Sequence, residues 1–359
     1  MQASLGRVGI NNFKILLASF LVGTVLLLTS ALYVAPDFIP AFHGAWYGQM
    51  TQHPFDFAAN APFHFRILTP LIAYCLNVSI DNYVFVPLAF AQLLLAAIFF
   101  FYRKNMYSNA DASAMASFIA FSSVIFITLI TPGYTDIVSY FFIFLSFATV
   151  RNFILSVFFF TAALFNHEAN LVLLPALCAY SYRENEMDKC SFVKYASALS
   201  LSLVAYLVFR YFAGHGIKSA YDAEAYLSLS NMMRNSRLVA KLTPMGAFFA
   251  FKLFWIIPIA YLWMACRSGF NKSMFVEILP VVLIVFGTGV QLLIAYDITR
   301  LFSLAFVAIL LSAQGLKTMM PGHRLLPFAL ILIILNFFIP QYFISQEGAN
   351  RMFPMWSVK

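Results

Sequence analysis

Apolar runs of about 20 residues recur along the whole of this 359-residue chain, and that recurrence limits what it can fold into. Such a run is the length an α-helix needs to cross the ~30 Å hydrocarbon core of a bilayer. In that core only helices and closed barrels satisfy every backbone polar group. The runs are continuous rather than alternating, so the expected fold class is all-α, a polytopic transmembrane helical bundle. About 11 spans are counted, at 13–35, 83–102, 112–131, 135–150, 152–165, 168–182, 191–212, 247–266, 274–295, 298–316 and 325–340. Several are short, and short spans often come as broken pairs around a site inside the bilayer. Composition agrees: 10% of residues are charged, against about 25% in soluble domains.

The formal charge of +8 does not point to nucleic acid, because the basic residues stand singly at span ends, as orientation signals do. Four cysteines, Cys75, Cys178, Cys190 and Cys266, form no CxxC pair, so neither a disulfide framework nor a zinc site is expected. No phosphate-cradling glycine motif occurs and no hydrophilic segment is long enough for a nucleotide-binding domain. The chain therefore reads as a single integral membrane domain, 1–359, with no cofactor and no metal, and any activated donor must arrive through the membrane. The opening MQASLGRVGINNFK has no small-residue cleavage site after its apolar run, which makes the first stretch a retained span.

Arg7 and Lys14 before the first span place the N-terminus in the cytoplasm by the positive-inside tendency. The segment 36–66 is then an outer-face loop, and 67–80, about 14 apolar residues, is too short to cross and suits an interfacial helix. A second outer-face loop covers 214–245, where the spacing of Leu227, Met232, Met233 and Leu238 fits an amphipathic helix on the membrane. The most charged stretch, YRENEMDKCSFVK, falls inside.

The first loop, PDFIPAFHGAWYGQMTQHPFDFAANAPFHFRILTP up to Pro70, is aromatic and proline-punctuated where a merely soluble loop would be rich in Ser, Gly, Lys and Glu. It reads either as a folded cap carrying chemistry or as an aromatic belt at headgroup level. Its two carboxylates, Asp37 and Asp56, are each candidates for a general base; Asp37 could equally be a turn residue after Pro36. His43 and His64 are weaker candidates, since histidines flanked by aromatics usually pack. The topology also sends Asp136, His167, Glu168, Asp297 and Arg300 to the outer ends of spans, on the same side as this loop. Ionisable groups at membrane depth are costly and usually functional or paired. Arg66 and Arg300 stand at span mouths and suit a phosphate or pyrophosphate, which a planar guanidinium grips with paired donors; headgroup snorkelling is the plainer reading. Asp297 and Arg300, three apart, can pair on a helix, and Asp136 can cap the helix beginning at Ile137. His167-Glu168 is not a zinc motif, because Leu171 stands where the second histidine belongs.

Taken together, His43-Gly44-Ala45-Trp46-Tyr47, the motif Pro62-Phe63-His64-Phe65-Arg66-Ile67-Leu68-Thr69-Pro70, Thr135-Asp136, His167-Glu168 and Asp297-Ile298-Thr299-Arg300 resemble the GT-C polytopic glycosyltransferases, including the GPI-anchor mannosyltransferase type and bacterial relatives. The resemblance implies sugar transfer from a polyprenyl- or dolichyl-phosphate carrier to a glycan, lipid or protein acceptor, on the periplasmic face of a bacterial inner membrane. It implies inversion with an aspartate base, Asp37 or Asp56, and a carrier phosphate held by Arg66 and Arg300. It departs from the family where His43 stands near the WY pair in place of an aspartate. Partners would be membrane lipids and these substrates. An O-antigen-type polymerase, a lipid-linked sugar transporter or flippase, and a non-catalytic subunit are the alternatives; a transporter would be expected to carry polar residues at mid-span depth.

Overall fold

A computed structural model describes residues 2–352 except 37, 41–42, 61–62, 106, 216, 218–227, 268, 270–271, 294, 296, 321–324 and 346–347; side chains of 2–11 and 272 are also outside the description. Asp37 is therefore outside the described residues, as is Leu227. Helix α1 (Gln2–Tyr33) leads to two short helices, α2 (His43–Met50) and α3 (Leu68–Cys75), then α4 (Phe85–Lys104), α5 (Asn109–Ala120), α6 (Ser123–Ile130), α7 (Asp136–Ala148) and α8 (Phe153–Asn166). A 3₁₀ turn at Glu168–Leu173 runs into α9 (Leu174–Glu184), followed by α10 (Lys189–Gly214) and α11 (Leu229–Ala240). The last part is α12 (Thr243–Phe251), a 3₁₀ turn at Lys252–Trp255, α13 (Ile256–Arg267), α14 (Lys272–Val290), a 3₁₀ turn at Gln291–Leu293, α15 (Ile298–Ser303), α16 (Phe306–Met319) and α17 (Leu325–Phe338).

Each of the eleven apolar runs coincides with helix. Among the described residues, however, only six helical stretches are long and apolar enough to cross by length and composition, or seven if α5 and α6, bent by 49° at Phe121–Ser122, form one span. The helices α7, α8 and α17 are apolar but shorter. The α5–α6 bend has a local cause: the Ser122 side chain accepts the Val124 N–H and restarts the helix.

The chain is an integral membrane bundle with a buried, mainly apolar core and exposed apolar flanks. Along α1, Leu17, Leu21, Val25, Leu28 and Leu32 are all exposed, a face repeating every three to four residues. On α10, Leu201, Val204, Leu207, Val208 and Tyr211 do the same. In a bilayer such faces meet hydrocarbon. The stretch Ile298–Met319 is the hub, 83% buried inside the protein, and α1 is fastened to α4 where Gly23 lets the backbones approach and Gln92 donates to Thr24 Oγ1 at 2.8 Å.

Two further features complete the fold. After α17, β1 (Gln341–Ser345) and β2 (Gly348–Met352) pair as an antiparallel hairpin, pinned to the bundle by Ile344 N–H donating to Thr299 Oγ1 at 2.9 Å. A cation also lies inside a span, although the charges were expected to gather at span ends. Lys252, 2% exposed, breaks the Thr243–Arg267 span with a positive φ of 50°. Its ammonium donates to Ile339 O at 2.8 Å, Asn336 O at 3.3 Å and Tyr33 Oη at 3.3 Å, so it caps the C-terminal carbonyls of α17.

Candidate functional site

One end of the bundle gathers the ionisable residues that the sequence scatters over 235 positions, Arg66 to Arg300. The gathering starts from a tight backbone contact. A Cβ on Gly44, in α2, would lie 2.1 Å from Pro132 O, and Gly133 in the facing turn has φ +88°, where glycine is favoured. This approach seats the His43 ring on Tyr134, with centroids 5.4 Å apart and planes 16° from parallel. The Arg300 guanidinium lies 5.3 Å from the centroid of the same Tyr134 ring.

Arg66 enters from the loop ahead of α3. It grips Glu168 with two donors, Nη2 to Oε1 at 2.7 Å and Nε to Oε2 at 3.2 Å, and gives Nη1 to Tyr47 Oη at 2.9 Å. His167 sits beside this pair, with Nδ1 accepting the Ala169 N–H at 3.1 Å and Nε2 3.6 Å from Asp136 Oδ1. Arg300 closes the row, with Nη1 2.9 Å from Asp297 Oδ2 and Nε 3.7 Å from Asp136 Oδ1.

Polar side chains below hold these elements in place. Asn166 donates to Thr135 O and Ser139 Oγ, both at 2.7 Å, and accepts from Thr69 Oγ1, which ties the ends of α7, α8 and α3 together. Asn170 donates to Ala163 O and His167 O at 2.8 Å, and Tyr140 donates to Arg300 O at 3.1 Å.

The electrostatics follow from burial among mixed charges. Burial, then the nearby Arg300 and Arg66, push the His43 imidazole down to about 4. Burial, then Arg66, push His167 to about 4 as well, against the partial support of Glu168 and Asp136. Both rings are neutral at pH 7. Burial alone would raise the Glu168 carboxyl, but the Arg66 guanidinium holds it well below the usual carboxylate range. The row thus sets Asp136, Glu168 and Asp297 against Arg66 and Arg300.

The structure brings together Arg66, Asp136, His167, Glu168, Asp297 and Arg300, with His43 one aromatic ring away. It does not bring in Asp56, which is exposed and accepts the Ala59 N–H at 3.1 Å in its own turn. His64 is fully buried against Phe65, centroids 3.8 Å apart, and the two rings face Gly214. Sequence reasoning quoted Tyr47 only as part of a motif and missed Tyr134, Asn166, Asn170 and Gln291. The usable signal was their polarity next to motif residues: Asn166 and Asn170 flank His167-Glu168, and Tyr134 precedes Thr135-Asp136.

A small cavity of about 10 Å³ lies between Asp136, His167, Gln291 and Arg300. A larger one, about 630 Å³, opens at the opposite end of the bundle, walled by the Arg151–Glu184–Arg183 ion pairs and Glu277; it is remote from the row. Among the described residues no group of three or more His, Cys, Asp or Glu side chains is arranged to hold a metal ion.

No family model matches the sequence, and no curated protein matches it. Among solved structures, the fold is similar to that of the oligosaccharyltransferase of Archaeoglobus fulgidus in its apo form, with TM-score 0.52 and 10% identity over 91% of this chain. The chain spans about 55% of that protein's length, and at this identity the likeness concerns the fold alone.

Proposed function

We propose that this protein is a membrane glycosyltransferase that moves a sugar from a polyprenyl-phosphate carrier to a hydroxyl-bearing acceptor, with inversion, at the bilayer face where the charged row opens. The observation that carries the reading is the row itself: carboxylates and guanidiniums held at one end of a GT-C-like bundle, beside lipid-facing helices through which an apolar carrier can approach. Arg300 is the cation for the carrier phosphate. One of its terminal nitrogens is engaged by Asp297, which leaves the other edge of its fork for a phosphate oxygen. Arg66, spent on Glu168 and Tyr47, holds the row in shape. Asp136 sits at the centre as one candidate base, and Asp37 in the first loop is the other. By the positive-inside reading the row faces outward from a bacterial inner membrane.

The test uses purified protein, a radiolabelled polyprenyl-phosphate sugar and a cell-envelope extract as acceptor. Arg300→Lys keeps the charge and loses the fork, and transfer is expected to fall markedly at unchanged expression. Loss of a base costs about 10²–10⁴ in rate, so either Asp136→Asn or Asp37→Asn should abolish most turnover while leaving donor binding nearly intact. A wild-type protein that moves the labelled lipid across vesicles and forms no glycosidic bond refutes the reading, as does full activity in all three variants.

A further inference from the structure

The cavity between Asp136, His167, Gln291 and Arg300 is about 10 Å³, close to the lower limit for one water-sized oxygen. Its walls carry polar atoms that the protein does not pair. Gln291 is 2% exposed; its Nε2 donates to Ala169 O at 3.0 Å, which fixes the amide so that the buried, unpartnered Oε1 is the free end. Arg300 Nε is likewise buried without a hydrogen-bond partner, 3.7 Å from Asp136 Oδ1. His167 Nδ1 accepts the Ala169 N–H, so in the neutral ring the proton is on Nε2, which stands 3.6 Å from the same Asp136 oxygen. Buried polar groups are nearly always paired, and contacts just beyond hydrogen-bond length commonly have an oxygen between them.

We propose that this cavity seats one neutral hydroxyl oxygen, and that Gln291 orients it for reaction. The wall offers two donors, Arg300 Nε–H and His167 Nε2–H, and two acceptors, Asp136 Oδ1 and Gln291 Oε1. That balance disfavours a bare cation, which Arg300 repels, and an anion, which Asp136 repels. It matches an oxygen with protons to give and lone pairs to accept. Water and a sugar acceptor share this chemistry: water meets all four wall atoms, whereas an acceptor hydroxyl, with its own carbon in one direction, brings a single proton that Gln291 Oε1 and Asp136 Oδ1 share.

The chemical role rests on the transferase reading, though the seat does not. In the reaction the seated oxygen bonds to the anomeric carbon, the bond from that carbon to the phosphate oxygen breaks, and its electron pair leaves with the lipid phosphate. The hydroxyl proton passes to Asp136 Oδ1. Gln291 stays unchanged and acts as a positioning residue: its Oε1 accepts the hydroxyl proton while the oxygen seats, and the proton turns to Asp136 Oδ1 as a lone pair takes up the bond to carbon.

Three measurements test this. A structure of the purified full chain, at a resolution that shows ordered water, is expected to place a density peak about 2.6–3.2 Å from both Gln291 Oε1 and Asp136 Oδ1, and Gln291→Met, similar in size and lacking the acceptor, is expected to lose it. A wild-type seat without density, or a peak that persists in Gln291→Met, overturns the proposal. The second experiment needs no variant. Donor alone in ¹⁸O-water should release labelled sugar, and saturating acceptor should suppress that label as transfer rises, because water and acceptor compete for one seat. Label release that is indifferent to acceptor overturns the shared seat. Where Gln291→Met folds, its acceptor kcat/KM should fall about tenfold, the size of one lost hydrogen bond, with donor affinity within twofold. A filled seat in a protein that makes no glycosidic bond would sink the transferase reading and leave the seat standing; transfer with an empty seat would do the reverse.

Discussion

The Arg66–Glu168 pair is expected to show strong non-additivity, and the geometry sets its size. Glu168→Gln keeps the shape and replaces one acceptor oxygen by an NH₂ that faces the Arg66 donors. Arg66, with a side chain 16% exposed, is then a buried cation without its counter-charge. Removing one partner of a fully buried pair costs about 3–5 kcal/mol. Because the Glu168 side chain is 33% exposed, water recovers part of this, and roughly 2–3 kcal/mol is the expected loss. Arg66→Met should cost a similar roughly 2–3 kcal/mol, since it strands the Glu168 carboxylate and takes the donor from Tyr47 Oη. The double variant Arg66→Met/Glu168→Met leaves no unpaired charge, so its loss should fall short of the sum by at least about 1.5 kcal/mol. Equilibrium unfolding of the four proteins in mixed micelles, followed by tryptophan fluorescence, measures the cycle. Single losses that add to within about 0.5 kcal/mol would refute the claim that the pair acts as one buried unit.

Three further outcomes follow from the same geometry. Both His43 and His167 are lowered to about 4 from an ordinary 6.5, so between those values the unfolded chain takes up protons that the folded chain refuses. Stability is full above about pH 6.5 and falls as pH drops toward 4, by roughly 2–3 kcal/mol per ring; a thermal midpoint flat across that window in wild type, or unchanged in slope in His167→Gln, contradicts this. Gly44→Ala drives a Cβ to 2.1 Å from Pro132 O, an overpacking cost of about 1–3 kcal/mol, and the shifted Tyr134 should depress transfer more than stability; normal transfer by the alanine protein contradicts it. In a background without the four native cysteines, cysteine at Gln52 or Ser230, both exposed, should react with an impermeant reagent from outside, whereas Asn105 and Glu186, also exposed, should not. Reversed labelling would invert the proposed orientation.

Membrane class and helix content were legible because hydrocarbon imposes a length and an apolar composition that few sequences meet by chance. The shared side of Asp136, His167, Glu168, Asp297 and Arg300 was legible too, since alternation of spans fixes which ends lie together. Partner choice was not. Arg66 and Glu168 are 102 residues apart, and a bidentate grip between them depends on the angle at which α3 meets the turn after α8, which no local pattern encodes. Asp56 shows the opposite failure. A carboxylate in the right loop looked like a base, but loop membership says nothing about depth, and Asp56 stays at the surface bonded to its own turn. Lys252 escaped notice because a single lysine hardly lowers the hydropathy of its window; its three oxygen acceptors come from α1 and the end of α17, visible only after folding.

The two arginines, equivalent as motif residues, are separated by their surroundings. A guanidinium has five N–H donors. Arg66 commits three of its bonds to fixed protein oxygens at 2.7–3.2 Å, so bringing it to a phosphate means undoing contacts already at full strength. Arg300 has one short contact, to Asp297, a longer approach to Asp136, and an aromatic face behind it. Under the proposed function the difference gives them opposite tasks. Arg66 fixes where Glu168, and through it the neighbouring His167, must stand; Arg300 can answer an incoming anion without breaking the row. A phosphate drawn to the outer edge of Arg300 would also divert that cation's field from Asp136, which lies 3.7 Å from its Nε. In the proposed reaction the carboxylate would then hold a proton more readily at the moment the donor is in place.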